Sequence, residues 1–575
     1  MTNPTGNCTQ FGSCDNEIWA GGCCPASLKC TGLEASGNVC WSCGGTQPAA
    51  LTTASESAGA AAEKMCTRLA AGGDFDYGCV LGASIMFYEA QRSGKLPAGN
   101  RIPWRGNAGL QDKAPNGASI VGGWYDAGDL TRFTFPAAFT VSTLALSFLE
   151  FKDAYAAAGQ VDAMLATLKW GADWLNAARY APDAFVAVTW KPGATVRESH
   201  LYWGRPEDLT GPAQVRALVS PQKGADLLAM GAAALAAVSV VFQERDPGYS
   251  QELLDTAQSL YLQATESSGL YSSSIPEVRG YYTSYSYIDD LAWAATWLAL
   301  RMQDPEQLRE AKFYYDQHWQ VEGGGEGRRF DYNNMVQPTG YLLAKLDPSR
   351  KEEYSRPIRD VMALWLNAQS NITYTPKGLA WIDSWGNLRY VANQAFMGLL
   401  HGKLYPEQSR RATVYTCFAR KQARLMLGEA GQGYVVGIGN SPPCRPHHRA
   451  ASCLATPEQP CDCSAYFNTG CNPNTIYGAL VGGPTKDDVF TDTRWNYEAS
   501  EVALDWNAGF TGMMAGLASN GISWEQCKAA GMENGRGSIS PNLNAAGRAA
   551  GMGLWWQLVL AAVAAWCGLA VMQQP

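Results

Sequence analysis

The sequence predicts a large all-α body behind a small disulfide-rich N-terminal module, and three observations carry this. Apolar residues recur at helical spacing through residues 65–535, strand-like alternation is scarce there, and seven cysteines fall within the first 45 positions. In chain order, Val141, Leu144, Phe148 and Phe151 lie three and four apart, the interval that puts side chains on one helix face. Val161, Met164, Leu165, Leu168 and Leu175 repeat the pattern, as do Leu291, Ala294, Ala295 and Leu298. Residues 225–240 are Ala-rich and apolar on every side, which predicts a helix buried all round. Gly, Pro and aromatic residues fill the connections between helices, where a rigid scaffold would mount a functional site.

The flanking segments read differently. Residues 1–45 carry Cys8, Cys14, Cys23, Cys24, Cys30 and Cys40 with an adjacent pair in the middle, and Cys43 is left over. Six cysteines allow fifteen pairings. The spacing resembles an inhibitor cystine knot, which implies Cys8–Cys24, Cys14–Cys30 and Cys23–Cys40. So short a piece needs such staples, and Phe11, Trp19 and Trp41 are available for a flat sugar-binding face. Residues 46–64 form an Ala/Ser/Thr-rich linker. Residues 536–553 are a small-residue spacer before a hydrophobic tail, 554–572, whose length suits a membrane span or a GPI-anchor signal.

Composition narrows the class. Only 17% of residues are charged, which argues against a disordered chain, and a net charge of −8 without a dense basic run argues against nucleic acid as partner. Seventeen cysteines and the sequons Asn7-Cys8-Thr9 and Asn371-Ile372-Thr373 point to the secretory pathway and an extracellular or cell-surface location. Residues 1–10 are polar and lack a signal-peptide pattern, so the sequence is expected to start downstream of its natural beginning. The protein is expected to act as a monomer.

Three stretches carry candidate chemistry. Asp126 and Asp129 sit in a loop with Gly122, Gly123 and Gly128, and Glu501 follows Phe490, Asp492 and Tyr497 at fixed intervals before Asn507-Ala508. Hydrolysing a glycosidic bond with inversion requires one carboxylic acid for the leaving oxygen and a carboxylate across the sugar to activate water. Two nearby carboxylates leave at least one ionised at neutral pH, and burial beside Trp495, Tyr497 and Trp506 would keep Glu501 protonated. The third stretch, Tyr434 to Arg449, ends in His447-His448-Arg449 within a Gly/Pro-rich loop of a chain that has only five histidines. Neighbouring Cys461-Asp462-Cys463 reads as disulfide cysteines rather than a zinc site.

Together these stretches resemble glycoside hydrolase family 9, the endoglucanase (cellulase) family. So do 87–97, 101–106, 205–208, 385–390 and 478–484, in family order, and the resemblance covers about residues 75–520. It implies an (α/α)6 barrel with an open cleft and inverting hydrolysis of internal β-1,4 bonds of cellulose. Hydrolysis of another β-glucan, or glucan binding alone, are the alternatives. By position it implies Asp129 as general base, Asp126 holding the water, Glu501 as general acid, His447 and Arg449 as substrate-binding residues, and Trp124 and Trp203 as stacking platforms. No cofactor is required. Ser286, Asp289, Asp290 and Asn333 match a structural calcium loop in which Asn333 stands where a carboxylate is usual. Gly433 and Ser441 also depart from the family pattern, and the cysteine-bearing insertion 450–472 has no counterpart in it.

Overall fold

The computed structural model describes residues 66, 73–321, 329–405, 409–454 and 461–535. The cysteine-rich module, the linker, the spacer and the hydrophobic tail expected from the sequence lie outside them. The chain divides into two compact units, Met1–Arg536 and Gly537–Pro575, and all described residues belong to the first.

Twelve helices of eleven or more residues account for the body among the described residues. In chain order they are α1 (Tyr77–Ala90), α2 (Thr134–Glu150), α3 (Val161–Ala178), α4 (Ala225–Phe242), α5 (Pro247–Glu266) and α6 (Ile288–Met302). They continue as α7 (Pro305–Val321), α8 (Val336–Leu346), α9 (Arg356–Leu366), α10 (Asn387–Leu404), α11 (Ser409–Met426) and α12 (Leu504–Ser519). The even-numbered helices form a closed inner ring, in which α2 meets α4, α4 meets α6, and so on until α12 returns to α2. Each odd-numbered helix packs outside it, as α5 does on α4 and α11 on α10. This is the (α/α)6 barrel that the resemblance implied.

Ring position explains the two kinds of helix sequence. An inner helix has neighbours on both sides and an outer helix behind, so it needs apolar or small residues all round. Helix α4 is long and apolar enough to cross a membrane by length and composition, yet 94% of it is buried inside the protein. Outer helices bury one stripe. In α9 the buried residues Pro357, Ile358, Val361, Met362, Trp365 and Leu366 lie on one face.

A three-stranded antiparallel sheet, β1 (Thr131–Phe133), β2 (Ala184–Trp190) and β3 (Gln214–Val219), runs in that order beside the start of α2. Thr131 pairs with Trp190, which fixes the exit of the loop bearing Asp126 and Asp129. Four disulfides join described residues: Cys66–Cys79, Cys417–Cys527, Cys444–Cys471 and Cys453–Cys461. The second ties α11 to the short helix Trp524–Ala529 after α12.

Candidate active site

The carboxylates gather where inner helices begin. Asp126 and Asp129 precede α2, Glu501 precedes α12, and Asp505 stands in its first turn. Tyr282 precedes α6, and Arg389 lies in the first turn of α10. Helix N-termini carry unpaired N–H groups and a partial positive charge, so this end of the barrel favours negative groups.

Three loops are sewn together there. Leu504 N–H donates to Asp126 O at 2.9 Å, Arg449 N–H to Gly128 O at 2.9 Å, and His447 N–H to Ser500 O at 2.9 Å. Gly128 is required by this closeness, since a Cβ there would stand 1.9 Å from the His447 carbonyl oxygen. Gln91 locks the same junction from α1's C-terminal end. Its amide donates to the carbonyls of Tyr125 and Ala127 at 3.0 and 2.6 Å, and its Oε1 accepts from His448 Nε2 at 2.8 Å. His448 is therefore a buried strut between loops.

The environments of the carboxylates differ. Burial opposes ionisation of Asp129, but His200 and Arg449 outweigh it and bring the group down to about 2. His200 Nε2 stands 2.7 Å from Asp129 Oδ2. Asp126 is pushed well up, first by burial and then by the charges of Asp129 and Asp505. Its Oδ2 accepts from Tyr282 Oη at 2.6 Å, while Oδ1 is buried with no hydrogen-bond partner. Glu501 is raised to about 8 by burial, with the charge of Asp129 adding to it. It keeps partial exposure to solvent although neighbouring atoms surround it. Asp129 is thus held ionised while Asp126 and Glu501 are held toward the protonated form, in loops joined backbone to backbone.

His447 lies in the same junction, paired to Glu501 as a parallel bridge. Burial first, then the charge of Arg449, pushes its imidazole down to about 3, so the ring is neutral. Its Nδ1–H donates to Arg494 O at 2.6 Å.

Three of the site expectations change. Trp124 is 2% exposed and packs against Tyr88, and a Cβ on Gly171 would meet its ring at 2.4 Å, so it is core and offers no open stacking face. Trp203 is equally buried, its Nε1–H donating to Ser452 Oγ at 2.9 Å, so it forms part of the wall behind His447 instead of a platform. Arg449 spends its guanidinium on carbonyls, Tyr202 O at 2.7 Å, Gly128 O at 3.0 Å and His200 O at 2.5 Å, and it lies over the Trp203 ring. Its work is to hold loops and supply charge.

Sequence reasoning missed His200, Tyr282, Asp505 and Arg389. Arg389 Nη1 pairs with Asp505 Oδ2 at 3.0 Å, which balances one carboxylate of the cluster. Weak signals existed. His200 is one of five histidines, Tyr282 lies in a tyrosine-rich run, and Arg389 and Asp505 fall inside stretches already singled out.

The residues expected to hold calcium approach one another at the starts of α6 and α8, where Asp289 Oδ2 accepts from Met335 N–H at 3.0 Å. Their hard oxygen donors suit the ion in kind, and Asn333 Oδ1 is buried without a hydrogen-bond partner. No group of three or more His, Cys, Asp or Glu able to hold a metal occurs among the described residues.

A twelve-helix barrel with oppositely tuned carboxylates at one end is the build of a glycoside hydrolase. The comparisons agree. A model for Glycosyl hydrolase family 9 matches residues 77–514. Endoglucanase 4 of Bacillus sp. (strain KSM-522) is 36% identical over 471 residues, spanning 78% of this chain and 69% of that protein. An endoglucanase of Dictyostelium discoideum is 36% identical over 460 residues, spanning 78% of this chain and 61% of its own length. The solved endoglucanase of the termite Nasutitermes takasagoensis superposes with a TM-score of 0.72 at 37% identity, covering 77% of this chain and 99% of the termite chain. The chain belongs to glycosyl hydrolase family 9 and is a glycoside hydrolase of the cellulase type.

Proposed function

We propose that the protein is an inverting endo-β-1,4-glucanase acting on cellulose or a related β-glucan, with Asp129 as general base and Glu501 as general acid. The observation that carries this is the opposite tuning of the two groups, about 2 for Asp129 and about 8 for Glu501, on loops bound to each other. Water attacks the anomeric carbon from the face opposite the leaving sugar. Asp129 takes a proton from that water as the new C–O bond forms, and Glu501 gives its proton to the departing glycosidic oxygen. Solvent then restores both protonation states. Asp126 helps to hold the water, one of its oxygens being engaged by Tyr282. His447 contacts the sugar, and Arg449 keeps the loops in place.

Inversion has a direct test. Proton NMR during cellohexaose hydrolysis should show the α-anomer of the new reducing end first, with the β-anomer growing by mutarotation. The β-anomer appearing first would contradict the assignment.

The same tuning sets a pH profile. The active form needs Asp129 ionised and Glu501 protonated, so kcat/KM should be flat above about 2 and fall as pH rises through about 8. Activity that holds through pH 10 would remove Glu501 from the acid role.

Ser286, Asp289, Asp290 and Asn333 would hold a structural calcium ion, which would tie the starts of α6 and α8, and no catalytic step depends on it. The four disulfides suit an oxidising compartment, which supports action outside the cell or at its surface.

A further inference from the structure

The insertion that brings Cys453, Cys461, Cys463 and Cys471 takes no part in the chemistry above, yet it reaches the His447 imidazole directly through Tyr466 and indirectly through Arg494. The carbonyl that fixes the His447 tautomer belongs to Arg494, a residue 1% exposed whose guanidinium turns to the insertion. Nε donates to Asn472 Oδ1 at 2.5 Å, Nη2 to Gly470 O at 2.9 Å, and Nη1 to Asn468 O. Asn472 then returns to the histidine loop. Its Nδ2 donates to Pro446 O at 3.1 Å and its N–H to Cys444 O at 2.8 Å, beside the Cys444–Cys471 disulfide. A closed circuit of hydrogen bonds thus runs from 468–472 through Arg494 to His447 and back through 444–446.

The ring has a second support. Trp203 meets its edge at 5.2 Å and Tyr466 at 6.1 Å, and Tyr466 packs on Trp203 at 4.8 Å. Tyr466 lies in the short helix Cys463–Phe467, capped by Asp462, and shares a buried cluster with Trp203 and Cys453, Cys461 and Cys463. The Cys453–Cys461 bond pins that cluster to the end of the histidine loop.

We propose that Arg494 and Tyr466 are positioning residues for His447, through which the disulfide-clasped insertion fixes the tautomer and tilt of the imidazole and thereby the affinity for glucan. This rests on the glucanase reading. A ring held in one tautomer by a buried carbonyl and in one tilt by aromatic edges presents a single hydrogen-bonding face to a sugar, with no ordering cost at binding. The insertion is thereby a specificity element built outside the chemistry of bond breaking.

The test uses the full chain labelled with 15N-histidine, in the Tyr466→Ala, Tyr466→Phe and Asn472→Ala variants. In Tyr466→Ala, KM for cellohexaose should rise about two- to ten-fold, the worth of an aromatic edge contact, with kcat little changed. Tyr466→Phe keeps the ring and should leave KM well below that of Tyr466→Ala. Asn472→Ala should raise KM too and shift the His447 side-chain 15N resonances toward mixed tautomers, read without substrate. Unchanged KM in both alanine variants, or a fall in kcat at constant KM, would overturn the proposal. If Tyr466→Ala does not fold, Asn472→Ala alone decides it. Absence of wild-type activity on every β-1,4-glucan would remove the glucanase reading alone, because the tautomer shift needs no substrate.

Discussion

Glu501→Gln is expected to lower kcat on cellohexaose by about 10²–10⁴-fold while KM stays near the wild-type value. Glutamine keeps the shape and the neutral charge that burial imposes on Glu501, so the cleft and its contacts survive. What it lacks is a proton to give. An alkoxide sugar is a poor leaving group, and without protonation the C–O bond breaks slowly. The loss should therefore shrink on an aryl cellobioside whose phenol leaves readily as an anion. An equal loss on both substrates would show that Glu501 does not protonate the leaving oxygen.

Asp129→Asn is expected to cost a similar factor, about 10²–10⁴-fold in kcat, and on every substrate, because activation of water is needed whatever the leaving group. The carboxylate is held ionised by His200 and Arg449 against the cost of burial, and an amide cannot take up the water proton. Azide is a small anion that needs no deprotonation. Added to the Asp129→Asn protein with an activated aryl cellobioside, it should restore turnover and leave a glycosyl azide of α configuration. Full activity in the variant would sink the assignment, and a β-azide would point to a retaining enzyme. The two variants are complementary, since one is rescued by a better leaving group and the other by a better nucleophile.

The legible parts of the site were those in which a residue type and its spacing already carry the chemistry. Asp126, Asp129 and Glu501 stand in motifs whose glycines and aromatics can be read directly, and the structure brings all three to one junction. His200 was not legible, because a lone histidine in a polar segment has no local pattern that points to a carboxylate. Trp124 and Trp203 were misread for a related reason. Tryptophan suits a sugar face and a protein core equally well, and only the Gly171 notch under Trp124 and the Ser452 hydroxyl at Trp203 decide for the interior. Arg449 likewise looks the same in sequence whether it meets a substrate or three backbone carbonyls.

Helical periodicity, the apolar run of α4 and the residue types of the acidic motifs follow from local order along the chain, and a one-dimensional pattern suffices to specify them. Which helices close the inner ring, which carboxylate is ionised, and that the insertion at 450–472 stands behind His447 depend on contacts between segments remote in sequence. Burial and Coulomb interaction act through space, so proton affinity and orientation were settled only when folding set the distances.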